Sequence, residues 1–109
     1  MAELHSAFKQ TGAIIHKDVA LLGNDDATPT VAGGNIFKTA TGNTGALDLT
    51  MFDGGTNGQV ITIIASDPTN KTTVKDAGNL LINGDWLEAA GKTLTLVFDG
   101  TNWYEISRV

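Results

Sequence analysis

The sequence predicts an all-β fold, and three observations carry that prediction. From Thr28 onward, short runs of Val, Ile, Leu and Thr recur, the residue types that fit a pleated, half-buried surface. Clusters of Gly with Asn, Asp or Thr separate those runs, which is turn chemistry rather than helix capping. The 109 residues include 13 glycines but only 2 prolines, so turns are plentiful while few strands are denied a backbone donor. The expected architecture is one compact β-sandwich or barrel-like domain at residues 28–109, preceded by an amino-terminal arm at residues 1–27.

Taken in order, Met1 to Asp26 differs from the rest. Its apolar residues cluster as Ala13-Ile14-Ile15 and Val19-Ala20-Leu21-Leu22, split by His16-Lys17-Asp18. A short helix and an isolated strand pair fit this spacing equally well. Gly23-Asn24-Asp25-Asp26 then closes the segment as a turn. Exposed apolar clusters of this kind mark interaction surfaces, so Ile14, Ile15, Val19, Leu21 and Leu22 are expected to dock on a partner.

Asn35 to Thr39 is the first strand candidate of the β region. Ala46 to Phe52 is the next, with Leu47, Leu49 and Met51 expected on one face and Asp48 and Thr50 on the other. Gln59 to Ala65, Thr72 to Val74, Leu80 to Ile82, Thr93 to Phe98 and Trp103 to Val109 complete the strands. Trp86 to Ala90 could form a helical turn, but Gly84 and Gly91 confine it. Gly58 to Ile64 and Gly91 to Val97 echo one another as Gly-x-x-aliphatic-Thr-aliphatic-aliphatic, each beside an Asp-Gly-(Gly)-Thr-Asn turn. Two copies favour a pseudo-repeated sandwich or barrel over a solenoid, which needs about three repeats to stack.

Composition narrows the function classes. Charged residues make up 17% of the chain, below the usual quarter, so either Thr and Asn replace charge on the surface or part of the surface is covered. The net charge of −5 with 7 scattered basic residues speaks against nucleic acid as a partner. No cysteine is present, which removes disulfides and thiolate metal sites. Residues Met1 to Gln10 lack a signal-peptide core, and no apolar run approaches the roughly 18 residues of a membrane span. A soluble protein with no membrane partner is expected.

Catalytic constellations are weak. His5 and His16 lack metal-ligand spacing, and Ser6, Ser66 and Ser107 stand in no nucleophile elbow. Asp53, Asp85, Asp99 and Glu105 could supply a glycosidase acid pair. However, Asp53, Asp85 and Asp99 sit in or beside glycine turns, where Asp bonds its own backbone. Asp53 to Gly58 has Asp first and Gly sixth like a calcium loop, but its third position is Gly55 and its twelfth is Ile64. Trp86, Trp103 and Tyr104 are candidates for sugar stacking or for core packing. The expectation is a chain with no catalytic residues, no metal and no cofactor.

The carboxyl-terminal residues carry a resemblance. Gly58-Gln59-Val60-Ile61-Thr62-Ile63, Thr73 to Asn79, and Gly91 through Arg108, with its Thr-Leu-Thr-Leu-Val-Phe-Asp-Gly-Thr-Asn-Trp-Tyr-Glu-Ile-Ser-Arg ending, resemble a module of bacteriophage virion proteins. Such modules occur in tail fibres, tailspikes and small capsid appendages, and Pro29 to Thr39 is similar to the segment that precedes them. The resemblance implies a non-enzymatic structural protein of the virion, made in the host cytoplasm and assembled as a homotrimer. The leading expectation is a capsid decoration (cement) protein bound to the major capsid protein of the head shell. The alternative is a short tail or head fibre module that binds a host-surface glycan. A depolymerase fragment is the third reading, and the missing acid pair counts against it.

Overall fold

The computed structural model describes residues 17–109, and among these every regular element is a strand. In chain order they are β1 (Ala20–Leu21), β2 (Ile36–Lys38), β3 (Leu47–Leu49), β4 (Val60–Ile64), β5 (Thr72–Val74), β6 (Leu80–Leu81), β7 (Trp86–Leu87), β8 (Thr93–Phe98) and β9 (Trp103–Arg108). They form a six-stranded sheet, β1-β2-β4-β8-β9-β6, and a three-stranded sheet, β3-β5-β7. The expected all-β sandwich is what the chain adopts.

The first half of the sandwich is wound rather than folded into hairpins. From β2 in the large sheet the chain passes to β3 in the small one, returns to β4 beside β2, and then reaches β5 beside β3. Both pairs are parallel, with Phe37 against Ile63 and Asp48 against Thr73. A parallel bridge from Thr30 to Asp53 repeats the stacking in the connecting turns. The sequence echo has a different meaning: β4 and β8 are antiparallel neighbours, with Ile61 opposite Leu96 and Ile63 opposite Leu94. These aliphatic positions therefore share the inner face, and all four are fully buried.

The core between the sheets centres on Trp103, which stacks on Phe98 at 4.7 Å and meets the edge of Phe52 at 5.9 Å. Gly55 allows this cluster to close, since a Cβ there would lie 2.7 Å from Trp103 Cζ2 and 2.9 Å from Phe98 Cδ2. Gln59 fastens the neighbouring loop. Its Nε2 donates to the carbonyls of Val31 and Gly34 at 2.8 and 2.7 Å, while its Oε1 accepts from the Thr56 amide at 2.9 Å.

Two local expectations change. Trp86-Leu87 is a strand, not a helical turn, because it pairs with β5 and alternates Trp86 inward with Leu87 outward. The strand expected to run to Phe52 stops at Leu49. Beyond it, Thr50 donates to the Ala27 carbonyl and Asp53 to the Pro29 carbonyl. That change of partner turns Met51 outward and Phe52 into the core.

The close approach at Gly55 gives the first test. Gly55→Ala should lower the unfolding free energy by about 1–3 kcal/mol through overpacking, whereas Gly45→Ala, with open space around its Cβ position, should stay within about 0.5 kcal/mol. Urea unfolding followed by Trp fluorescence reads both. Gly91 and Gly100 have φ of 78° and 97°, so replacing either with Val should cost about 1 kcal/mol or more in the same assay.

Candidate interaction surface

The residues expected to dock divide sharply. Ile14 and Ile15, like His5, His16 and Ser6, lie outside the described residues. Val19 and Leu21 are exposed, while Leu22 is only 4% exposed and packs in the core. The reason is strand alternation: Ala20 and Leu21 pair with Phe37 and Lys38, which aims Leu22 inward and leaves Leu21 outward. Leu22 also donates its amide to the Lys38 carbonyl at 2.9 Å. The following turn is tied in as well, since Asp25 accepts from the Thr44 amide and Asn24 from the Gly42 amide. From Ala20 onward, then, the segment is bonded into the sandwich.

Three of the four candidate carboxylates, Asp85, Asp99 and Glu105, are occupied by neighbouring groups, whereas Asp53 is bonded through its backbone, donating to the Pro29 carbonyl and accepting from the Val31 amide. Asp99 accepts from the Thr101 and Asn102 amides of its own turn at 2.9 and 2.7 Å. Asp85 accepts from the Asp76 amide at 2.8 Å and from Lys75 Nζ at 2.7 Å. Glu105 holds Arg108 through two nitrogens, at 2.7 and 2.9 Å, and accepts from the Asn83 amide. The Lys75 bond holds the Asp85 carboxyl below its usual range, and backbone amides do the same for Asp99. For Glu105 the cause is the Arg108 guanidinium.

Glu88 is different, because it is sealed in the interior at 1% exposure. Its Oε1 accepts from Thr39 Oγ1 at 2.7 Å and from the Asp67 amide at 2.8 Å, and its Oε2 from the Thr72 amide at 2.6 Å. Thr39 follows β2 and Asp67 follows β4 in the large sheet, while Thr72 opens β5 in the small one. The Glu88 carboxylate therefore bridges the two sheets. Sequence reasoning passed over it, since it sits in the segment that looked like a helical turn.

A shallow cleft of about 290 Å³ lies beside Arg108, lined by Asp85, Trp86, Leu87, Lys92 and Val109. Arg108 closes its floor by donating to the Gly84 carbonyl at 2.8 Å as well as to Glu105. Neither tryptophan offers a sugar platform, because Trp86 and Trp103 are both buried. Tyr104 is the member of that trio that reaches the surface. Among the described residues, no three His, Asp or Glu side chains gather as metal ligands.

The outer face of the six-stranded sheet carries a row of apolar side chains. Register places Val60 beside Val97, Val97 beside Tyr104, and Tyr104 beside Leu81, one row across four strands. The next row carries Ile36, Thr62 and Thr95, with the two threonine hydroxyls 3.0 Å apart. A bulge between Thr95 and Leu96 on the β8–β9 pair leaves Ile106 unpaired and 55% exposed.

Two tests follow from the carboxylates. Glu88→Gln replaces an acceptor oxygen with a donor facing N–H and O–H groups, and should cost about 2–4 kcal/mol in urea unfolding. Asp85, Asp99 and Glu105 titrate below their unfolded values, so the unfolded chain binds more protons in acid. Their stabilisation is present above about pH 4 and disappears as pH falls through the folded values. Melting temperature should therefore be flat near neutrality and fall in acid, with a shallower fall in Glu105→Gln.

No curated protein and no solved structure matches the chain. A family model does match, that of the phage depolymerase C-terminal beta sandwich domain, over residues 23–104. The match runs from the turn after Leu22 to the start of β9, so it spans β2 to β8, including the whole three-stranded sheet, and leaves out β1. The two-sheet architecture agrees with that description, and the chain belongs to the phage depolymerase C-terminal beta sandwich domain family.

Proposed function

We propose that the chain is a non-enzymatic structural module of the phage tail, part of a short fibre or spike. The family match over residues 23–104 carries this reading, since depolymerase domains are tail-associated parts of the virion. It favours the tail over the head shell, so the capsid decoration role expected from sequence gives way to the fibre alternative. The carboxylates support a role without chemistry. Glycoside hydrolysis requires one carboxyl kept protonated near neutral pH, whereas the shifts at Asp85, Asp99 and Glu105 all favour the ionised form. The buried tryptophans favour a structural part over a glycan-stacking one. Gold-labelled antibody against the chain, imaged on intact virions, tests the placement. Label at the tail is expected; label spread over the head shell would restore the decoration reading and defeat this one.

A further inference from the structure

We propose that Asn83, in the turn between β6 and β7, is a self-modification site, where the chain converts its own asparagine to aspartate and isoaspartate without an enzyme. The inference rests on the geometry of that turn, so it stands or falls apart from the tail assignment.

Two Asn-Gly steps occur in the chain, Asn57-Gly58 and Asn83-Gly84, and the fold treats them differently. Glycine obstructs least the attack of its own amide nitrogen on the preceding side chain, because it has no Cβ. Both asparagines are exposed, and a Cβ at either Gly58 or Gly84 would meet nothing within 4 Å, so access does not separate them. The amide does. Gly58 donates its N–H to the Phe98 carbonyl at 2.7 Å, inside a turn closed by the Gln59 amide on the Thr56 carbonyl. Among the described residues, the Gly84 N–H finds no acceptor and the Asn83 side chain no partner. The turn is gripped elsewhere, by the Asn83 amide on Glu105 Oε1 and by Arg108 on the Gly84 carbonyl. Those bonds leave the reacting pair free.

The chemistry balances with water as the co-reactant. A solvent base takes the Gly84 amide proton, and the nitrogen attacks Asn83 Cγ. A C–N bond closes a cyclic imide as the Cγ–Nδ2 bond breaks, and Nδ2 leaves as ammonia, taking a proton back. Water then opens the ring. Addition at Cγ restores the main chain and leaves aspartate, whereas addition at the main-chain carbonyl leaves isoaspartate, with the chain routed through Cβ. One water is consumed and one ammonia released, and the net charge of −5 becomes one unit more negative. The new carboxylate joins a turn that already holds Asp85 and bonds to Glu105, so like charges gather there. Isoaspartate also lengthens by a methylene the link that joins β6 of the large sheet to β7 of the small one.

The test uses the unaltered full chain, incubated in mildly alkaline buffer both folded and in guanidinium, then digested with trypsin. Cleavage after Lys38, Lys71, Lys75 and Lys92 puts the two asparagines on separate peptides, 39–71 and 76–92. Mass spectrometry with fragmentation reads each conversion as the replacement of an amino group by a hydroxyl. The ratio of unfolded to folded rate measures how far the fold protects each site. Protection at Asn57 should exceed that at Asn83 by about tenfold or more, since attack through Gly58 must first break a bond that Gly84 lacks. Chromatography should resolve two products of peptide 76–92, the aspartate and the isoaspartate form. Equal protection of the two sites, greater protection at Asn83, or an Asn83 that stays intact in the folded chain while converting in guanidinium overturns the proposal. A single aspartate product would mean direct hydrolysis of the side chain and overturn attack by Gly84.

Discussion

Glu88 is the interaction on which the sandwich depends. Its two oxygens take donors from the end of β2, the end of β4 and the start of β5, the points where the wound chain passes between sheets. A sealed carboxylate without such partners would cost several kcal/mol. With them, it fixes the separation and register of two sheets whose remaining contacts are apolar and non-directional. The surrounding polar groups extend the same logic. Ser66 bonds both the hydroxyl and the carbonyl of Thr39, and Asn43 links Thr72 to the Asp25 turn. The winding is thus held at one end by polar bonds and at the other by the Phe52, Phe98 and Trp103 rings.

The outer surfaces of the two sheets differ in chemistry. The small sheet shows Asp48, Thr73 and Leu87 outward, a short and mixed face. The large sheet shows an apolar row flanked by paired hydroxyls. Of the carboxylates that might have suggested catalysis, Asp85, Asp99 and Glu105 are spent on turns and ion pairs at the strand ends.

Much of this was legible in the sequence, for physical reasons that vary by element. The Val-, Ile-, Leu- and Thr-rich runs at Gln59 to Ala65 and Thr93 to Phe98 marked both strands, since β-strand composition is a local signal. The glycines at 91 and 100 marked turns because the left-handed backbone there excludes most other residues. What escaped was set by distant partners. The parallel stacking of β2 on β4 and β3 on β5 depends on register between segments that carry no shared local signal. Leu22 looked like a docking residue because its cluster is apolar all along, and only pairing of β1 with β2 decides which side faces inward. Glu88 was invisible as a structural carboxylate, because its three donors come from three separate segments.

The account makes the Glu88 carboxylate the bond that sets the two sheets against each other. Native-state hydrogen exchange of Glu88→Gln, compared with the unaltered chain, tests this amide by amide. The Asp67 and Thr72 amides, which donate to Glu88, should exchange faster in the variant by a larger factor than the Trp103 amide, which donates to the Asn79 carbonyl. Unchanged exchange at Asp67 and Thr72 would contradict the account.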